Sequence, residues 1–291
     1  MIWKKPWFQF SILILLAFVW GSSFILMKIG LKSFTNEQVA GIRMLLASLV
    51  LLPYSIKNLK HLKKKDVKSL LIAGFIGSFI PAFLFTKAQT QIDSALAGML
   101  NSMTPVFTLL VGMLFHRTKF FLLQVIGLVM GLLGAIGLIA SGNGLEIGHV
   151  NPYALLIILA TCFYAININE VKARLSHLSG MQITSLAFFF TGPAALIYLL
   201  TTDFAPALEN PSWPIHLLAL AGLGIIGTAL AMVLMNSLIR YASAVYASSV
   251  TYIIPIFAIM WGILDGENIT VLHLACMLFI LLGVYLINKK K

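Results

Sequence analysis

The chain carries little charge for its length. Only 10% of its 291 residues are charged, whereas 60% are hydrophobic. A soluble globule of this size needs far more polar surface to cover its core. The mean hydropathy of +0.98 therefore excludes an ordinary soluble domain and predicts a membrane protein.

Side chains that could perform chemistry are also scarce. Cys162 and Cys276 are the only cysteines, and both fall inside apolar stretches, so they predict neither a disulfide framework nor a metal site. None of the six histidines has the HExxH spacing of a zinc enzyme. A glycine-rich phosphate loop ending in Lys-Ser or Lys-Thr is missing too, which argues against ATP-driven pumping by this chain. The sequence predicts no cofactor.

Long apolar runs follow one another instead. A helix needs about 20 apolar residues to cross the bilayer core, and runs such as 122–140 lack the alternation of barrel strands. Lys4 and Lys5 precede the first run as in a signal peptide, but its counterpart around Lys172 lies mid-chain, so we interpret this run as a retained helix. We predict an all-α membrane protein with ten transmembrane helices, near residues 11–31, 38–56, 69–88, 94–115, 120–141, 152–173, 181–201, 213–238, 243–264 and 270–288.

The basic residues lie in alternate loops. With the N-terminus in the cytoplasm, 16 of the 20 lysines and arginines fall on the inner side, as the positive-inside rule requires. The net charge of +11 thus indicates membrane orientation and not nucleic-acid binding. The lysine-rich stretch 57–68 is interpreted as an anchor to anionic membrane lipids, with a protein partner as the alternative. We expect a bacterial-type inner membrane protein with both termini in the cytoplasm.

The second half of the chain repeats the first. Residues 74–114 align without a gap with residues 224–264, and nine of the 41 positions are identical, including Pro105 with Pro255. Lys28 also matches Lys172, 144 positions later. Because each half holds an odd number of predicted spans, five, the second copy must be inverted in the membrane. We predict two inverted five-helix repeats, residues 1–144 and 145–291.

Inverted repeats are typical of carriers. Exchanging the conformations of the two halves converts an outward-open state into an inward-open one of similar energy. Pro105 and Pro255 lie mid-span at equivalent places, where proline removes a backbone hydrogen bond and bends a helix. The bends suit a gate, although a static kink around a cavity explains them equally.

Three of the charged side chains inside predicted spans are candidates for a function. A charge in the middle of a membrane costs about 2.5 to 3.5 kcal/mol on insertion scales, so such residues are functional candidates. Arg43 lies near the outer end of its span and either structures a cavity or extends its head group to the interface. Lys28 has the same two interpretations. Glu170 precedes Arg174 by four residues, which predicts an intrahelical ion pair, with proton transport as the alternative.

Uncharged polar and aromatic residues inside the spans complete the set. Amide groups suit zwitterions or sugars, although they can equally join neighbouring helices. Trp20 lies near mid-membrane, away from the interfacial belts where tryptophan is enriched. The candidates for substrate contact are Trp20, Ser23, Arg43, Asn101, Tyr164, Asn167, Asn236 and Tyr252, and those for coupling or gating are Lys28, Glu170, Pro105 and Pro255.

The combination of these features resembles a known family. Residues 20–24, Trp-Gly-Ser-Ser-Phe, together with Arg43, the proline-bearing fourth and ninth spans and Gly266-Glu267, are similar to the EamA-type family of the drug/metabolite transporter superfamily. One difference is that His116 and Arg117 stand where the second half has Gly266 and Glu267.

The resemblance implies a ten-helix bundle in which helices 1–4 and 6–9 line a cavity and helices 5 and 10 lie at the periphery. It also implies export of small metabolites such as amino acids, or of toxic compounds. The sequence favours a secondary transporter with a small-molecule substrate and no enzymatic activity. A membrane-embedded enzyme and a non-transporting receptor or scaffold are the alternatives, and a homodimer stays open.

Overall fold

The computed structural model describes residues 2–116, 121–141 and 151–288. Over these ranges it contains helices and turns but no β-strand, which confirms the predicted fold class. Within the described ranges, nine helices are long and apolar enough to span a membrane, and a tenth is slightly shorter. We number them α1 (Pro6–Gly30), α2 (Asn36–His61), α3 (Lys64–Ala88), α4 (Ser94–Leu114), α5 (Leu122–Ala140), α6 (Tyr153–Leu175), α7 (Gly180–Leu200), α8 (Trp213–Tyr241), α9 (Ala244–Leu264) and α10 (Val271–Ile287).

Several helices extend beyond the predicted spans. Helix α1 begins at Pro6, five residues before the predicted start, and α3 begins at Lys64. The predictions followed the hydrocarbon core alone, whereas a helix can continue into the polar interface with lysines on its first turns. Proline suits the first turn because its missing N–H has no partner there in any case. The predicted repeat boundary at 144/145 lies outside the described residues.

The second helix of each half begins with the same cap. The Thr35 hydroxyl accepts from the Gln38 backbone N–H, and the Gln38 side chain accepts from the Thr35 backbone N–H. Ser179 and Gln182 form the identical pair of bonds before α7. These capping boxes satisfy donors that the first helical turn leaves unpaired. Since both pairs are 144 residues apart, they fix the alignment of α2 with α7.

Helices α4 and α9 are interrupted just before their prolines. In α4 the α-helix Ser94–Asn101 gives way to a turn, and a new α-helix runs from Thr104. In α9 a 3₁₀ turn, Ser249–Tyr252, separates Ala244–Ser248 from Ile254–Leu264. Proline cannot donate to the preceding turn, so each helix restarts with its proline near the new N-terminus. The predicted bends at Pro105 and Pro255 are thus breaks in the hydrogen-bond ladder.

Helices α3 and α8 share a second irregularity that sequence reasoning did not predict. Each contains a π-helical stretch, Ile72–Phe79 in α3 and Ile225–Leu230 in α8. The hydroxyls of Ser78 and Thr228 donate to the carbonyls five residues earlier, Ala73 and Leu223. π-Bulges are frequent at functional sites because they widen a helix locally and redirect its side chains. Both irregularities face the centre of the bundle.

Helices α5 and α10 pack against each other through glycine. A Cβ on Gly127 would collide with the Gly283 carbonyl, and one on Gly134 would meet the Cys276 carbonyl. Small residues allow such close backbone approach in lipid. The outward faces of both helices carry exposed leucines and isoleucines, including Leu133 and Leu278. This pair lies beside the bundle formed by the other eight helices.

Candidate substrate cavity

A cavity of about 80 Å³ lies in the middle of the bundle. It has room for about five to eight water molecules, which is the scale of a small organic solute. Seven helices, α1–α4, α6, α8 and α9, supply its walls, whereas the described residues of α5, α7 and α10 supply none. The expectation that helix 7 also lines the cavity was therefore wrong. The lining residues are Trp20, Ser23, Phe24, Met27, Arg43, Met44, Gly77, Ser78, Phe85, Asn101, Thr104, Tyr164, Asn167, Ile168, Thr228, Met232, Met235, Val250 and Thr251.

Equivalent positions of the two halves face each other across this cavity. Trp20 corresponds to Tyr164 and Ser23 to Asn167 at the 144-residue spacing of the capping boxes. At the 150-residue spacing of the long alignment, three further lining pairs correspond. These are Ser78 with Thr228, Phe85 with Met235 and Asn101 with Thr251. The cavity therefore lies at the interface between the repeats, where inverted-repeat carriers bind their solutes.

Paired glycines bring the walls of the cavity together. A Cβ on Gly77 would overlap the Asn167 side chain, and one on Gly227 would come within 2.8 Å of the Ser23 hydroxyl. Asn167 and Ser23 are themselves equivalent, so both halves use the same contact between the first helix of one repeat and the third helix of the other. The Trp20 indole N–H donates to the Gly227 carbonyl at 3.0 Å. The π-helical stretch of α8 thus holds the tryptophan in the cavity wall.

Arg43 is buried, with 9% of its surface exposed, and it lines the cavity from α2. Its Nε donates to the Thr228 hydroxyl at 2.6 Å, and one terminal nitrogen lies 3.8 Å from the Met27 sulfur. Thr228 in turn donates to the Leu223 carbonyl, which fixes the direction of its hydroxyl. Among the described residues, no acidic side chain pairs with Arg43. The guanidinium is a structured cavity group, and it does not extend to the interface.

The arginine breaks the symmetry of the cavity. Its equivalent in α7 is Ala187, as the matching contacts of Gly224 with the Arg43 carbonyl and of Gly74 with the Ala187 carbonyl show. One half therefore supplies a cation where the other supplies a methyl group. Two lining residues, Asn101 and Asn167, have buried side-chain oxygens that accept no hydrogen bond from the described part of the chain.

Most of the predicted contact residues line the cavity. Trp20, Ser23, Arg43, Asn101, Tyr164 and Asn167 all do so. Their roles in substrate binding stay predictions.

Asn236 and Tyr252 lie outside the cavity lining. Asn236 donates to the Thr184 hydroxyl on α7, which turns its amide toward the α7–α8 contact. Tyr252 ends the 3₁₀ turn of α9 and packs partly buried against the hydrophobic core, while its neighbours Val250 and Thr251 face the cavity. Helix periodicity alone could not decide which side of an irregular segment each residue occupies.

Lys28 forms the centre of an ionic cluster at the predicted outer end of the bundle. Its Nζ lies 2.7 Å from Asp265 and 2.8 Å from Glu267. The Glu267 carboxylate, with only 2% of its side chain exposed, also accepts from the backbone N–H groups of Ser94 and Ala95, each at 2.9 Å. One carboxylate therefore joins α1, the link after α9 and the N-terminus of α4, where the helix dipole favours a negative charge.

Sequence reasoning did not assign Glu267 a role, although Gly266-Glu267 was part of the family resemblance. Gly266 is the sequence feature that marks this turn. Its φ is 80°, a conformation that glycine adopts readily, and the turn places Glu267 over the ends of the neighbouring helices. Its partners are 172 to 239 residues away in sequence, which no local pattern shows.

The predicted inner end has a different arrangement. Glu170 lies 3.2 Å from Arg174, as the i,i+4 spacing predicted, and it accepts from the Ser69 hydroxyl at 2.6 Å. Lys172, the equivalent of Lys28, donates to the backbone carbonyls of Ile239, Arg240 and Ala242 at the end of α8. A cation there complements the negative end of the helix dipole.

Comparisons with known proteins agree with this architecture. The chain is 28% identical over 290 residues to the inner membrane transporter YedA of Escherichia coli (strain K12), covering 97% of this chain and 91% of YedA. It is 25% identical over 287 residues to the S-adenosylmethionine/S-adenosylhomocysteine transporter of Chlamydia trachomatis serovar L2, covering 94% and 87% of the two chains. A crystal structure superposes with a TM-score of 0.66 at 15% identity over 95% of both chains, a likeness of fold.

The family match covers both halves separately. The model of the EamA-like transporter family matches residues 8–140 and again residues 151–289. Together these segments span nearly the whole chain, and each holds five of the ten helices. The chain belongs to the EamA-like transporter family.

Proposed function

We propose that this multi-pass inner membrane transporter is a secondary carrier that exports a small organic metabolite by alternating access. The central cavity is the observation that carries the proposal. It lies at mid-span between two inverted repeats, and equivalent residues of both repeats form its walls. A site on the symmetry axis can face either side of the membrane when the halves exchange conformations.

The substrate class in the proposal is an amino acid-like metabolite, with a toxic compound as the second class. The name of the Chlamydia relative supports the first class, because S-adenosylmethionine carries the carboxylate and ammonium of an amino acid. Eight serine, threonine, asparagine and arginine side chains line the cavity beside apolar and aromatic ones, and this mixture fits a solute with a polar head and an apolar remainder. They are Ser23, Arg43, Ser78, Asn101, Thr104, Asn167, Thr228 and Thr251.

The ionic cluster around Lys28 is the proposed outer gate. Opening the cavity to the outside requires α1 to separate from α9 or α4, and the Glu267 carboxylate joins all three. Lys172 is the proposed element of the inner gate, since it ties α6 to the end of α8. The breaks at Pro105 and Pro255 allow the halves of α4 and α9 to move as separate segments.

The proposal also treats the chain as a transporter without enzymatic activity, with both termini in the cytoplasm. In the described ranges no group of three or more His, Cys, Asp or Glu side chains could hold a metal ion, and the relatives cited above are named as transporters. A homodimer stays a prediction. The proposal is compatible with two ways of driving transport. One is a proton gradient that acts through Glu170, and the other is exchange or facilitated diffusion.

Uptake and efflux by proteoliposomes containing the purified chain test the proposal. A pooled mixture of labelled metabolites is measured with and without an imposed pH gradient, beside an Arg43→Ala variant. We expect movement of one solute class that the variant loses. Transport that depends on the pH gradient would indicate coupling to protons and would point to Glu170. Transport that does not depend on the gradient would indicate exchange or facilitated diffusion. Chemical conversion of a metabolite without its movement would contradict the carrier and support an enzyme.

A further inference from the structure

We propose that one anionic phospholipid of the inner leaflet binds in a groove on the outward-facing side of α3. Its phosphate lies between Lys64 and Lys68, and an acyl chain lies against Leu71, Phe75 and Ile76. The inference goes beyond the proposed transport, because the groove shares no residue with the central cavity. It follows from the order in which charged and apolar side chains succeed each other along one helix face.

The groove is open and follows α3 from its first turn. Its lining residues are Lys64, Val67, Lys68, Leu71, Ile72, Phe75 and Ile76. They recur at the spacing of a single helix face, and the last three belong to the π-helical stretch Ile72–Phe79. A helix rises about 18 Å from Lys64 to Ile76, and the hydrocarbon of one leaflet is about 15 Å thick. The groove therefore has about the length of one phospholipid.

Lys64 and Lys68 lie at the predicted inner end of this face without a counter-charge from the protein. Both are exposed, and neither forms an ion pair with a described residue. Like charges four residues apart destabilise a helix, and the first turns of α3 add to this cost because the helix dipole is positive there. An anion close to both lysines removes the repulsion.

The acidic side chains at the same end of the bundle have partners inside the protein. Asp66 is the only acid in the stretch 57–68, and its carboxylate, with 4% of the side chain exposed, lies 3.2 Å from His177 Nε2. Glu170 accepts from the Ser69 hydroxyl and pairs with Arg174. The charge of the groove is therefore purely positive, which complements the phosphate of an anionic lipid.

The second repeat lacks lysines on the equivalent helix face. At the 150-residue spacing, Lys64 and Lys68 correspond to Pro214 and Leu218 of α8, and Leu218 is exposed. The third helix of a repeat therefore does not need lysines on its outward face. The two charges occur only in the repeat that places this face at the predicted cytoplasmic side, where the membrane surface is negative.

Native mass spectrometry of the purified full chain with defined lipids tests the inference. The probes are phosphatidylglycerol and phosphatidylcholine with identical acyl chains, and glycerol phosphate without chains. We expect one phosphatidylglycerol to bind about 10- to 30-fold more tightly than phosphatidylcholine, because two lysines act on its charge. Glycerol phosphate should not be retained. Equal affinity for the two lipids, or for glycerol phosphate and phosphatidylglycerol, would overturn the inference.

Matched lysine variants separate the groove from the general charge of the stretch. The double variant Lys64→Gln/Lys68→Gln should lose about 10- to 30-fold in affinity for phosphatidylglycerol. The double variant Lys60→Gln/Lys65→Gln removes the same charge from exposed positions outside the groove and should leave the affinity nearly unchanged. Equal losses in both double variants would show a diffuse attraction to the lysine-rich stretch and would overturn the inference.

A second pair of variants tests the position of the acyl chain. Ile76→Trp fills the apolar end of the groove and should weaken the binding of phosphatidylglycerol. Ile226→Trp places the same side chain at the equivalent position of α8, which is 50% exposed, and should leave binding unchanged. The melting temperature of each variant without added lipid reports its folding.

Two further results would contradict the lipid assignment. An affinity for phosphatidylglycerol that is the same in Ile76→Trp and the wild type would show that no acyl chain lies in the groove. Displacement of the bound lipid by a soluble acidic peptide would assign the lysines to a protein partner.

Discussion

Residues that line the cavity could be predicted from sequence where a polar side chain lies inside an apolar span. Arg43, Asn101 and Asn167 stand out because a polar group inside an apolar span needs a reason, and all three line the cavity. The methionine walls gave no such signal, because an apolar residue in an apolar span has no unusual feature. Glu267 also escaped prediction, since its partners are joined to it only by the fold.

Substitution of two glycines by alanine should show which of them is required for close helix packing. A Cβ on Gly21 would lie 2.5 Å from the Phe257 Cβ and 3.0 Å from the Ile254 carbonyl. We expect Gly21→Ala to lower stability by about 1 to 3 kcal/mol through overpacking of α1 on α9, measured by thermal unfolding in detergent. Gly222→Ala is the control, because its Cβ would meet only Leu26 at 4.0 Å. Equal effects of the two changes would contradict this packing.

Asp93, in the link between α3 and α4, should make stability depend on pH. Burial raises the pKa of its carboxyl, and the Glu267 carboxylate raises the pKa further, while Lys28 and His273 oppose this. The folded chain therefore holds the proton more tightly than the unfolded chain, and stability is lost as pH rises from 3.8 through the higher folded-state pKa.

We expect Asp93→Asn to raise the melting temperature at pH 7, because the variant removes a poorly solvated charge. The gain should shrink as the pH falls toward 3.8, where the wild-type carboxyl is also protonated. Melting curves at several pH values check this, with Glu209→Gln as an exposed control. A gain of the same size at every pH would show that the charge of Asp93 is not responsible.

The helices themselves were predicted more accurately than their ends and irregularities. Hydropathy identified ten spans because each must cross the hydrocarbon core. Proline predicted the interruptions of α4 and α9, since it cannot donate the hydrogen bond that a continuous helix needs. The π-helical stretches of α3 and α8 were not predicted, because their glycines and hydroxyls are equally compatible with a regular helix.

The ionic link between helices at the proposed outer gate can be weakened without changing its shape. Glu267→Gln keeps the side-chain length but removes the charge that holds Lys28 and the N-terminus of α4. Charged hydrogen bonds contribute about 1.5 to 3 kcal/mol, so we expect the outward-open population to rise about tenfold or more. Labelling of a Ser78→Cys reporter by a membrane-impermeant thiol reagent from outside measures this.

The background for this experiment lacks Cys162 and Cys276, and Glu209→Gln serves as a control that alters an exposed acid. Labelling that is unchanged by Glu267→Gln but raised by Glu209→Gln would contradict the assignment of the gate.

The whole molecule combines two inverted repeats with a few deliberate departures from symmetry. The duplication was predictable because the paired prolines and glycines keep a constant spacing over a long segment. Two departures stand out: Arg43 opposite Ala187 gives the cavity one cation, and Lys28 binds the Glu267 carboxylate whereas its equivalent, Lys172, binds backbone carbonyls. The contacts that these residues form depend on how the halves pack, which the repeat alone does not specify.

Paired cysteine reporters test alternating access most directly. Phe85 and Met235 are equivalent, and both line the cavity, Phe85 toward the predicted outer end of α3 and Met235 toward the predicted inner end of α8. Each is replaced by cysteine in the cysteine-free background, with and without Glu267→Gln, and is labelled from each side in oriented vesicles.

The account predicts that Glu267→Gln increases labelling of the Phe85→Cys reporter from outside and decreases labelling of the Met235→Cys reporter from inside. Labelling of both reporters that rises together, or that changes at neither position, would contradict a two-state carrier.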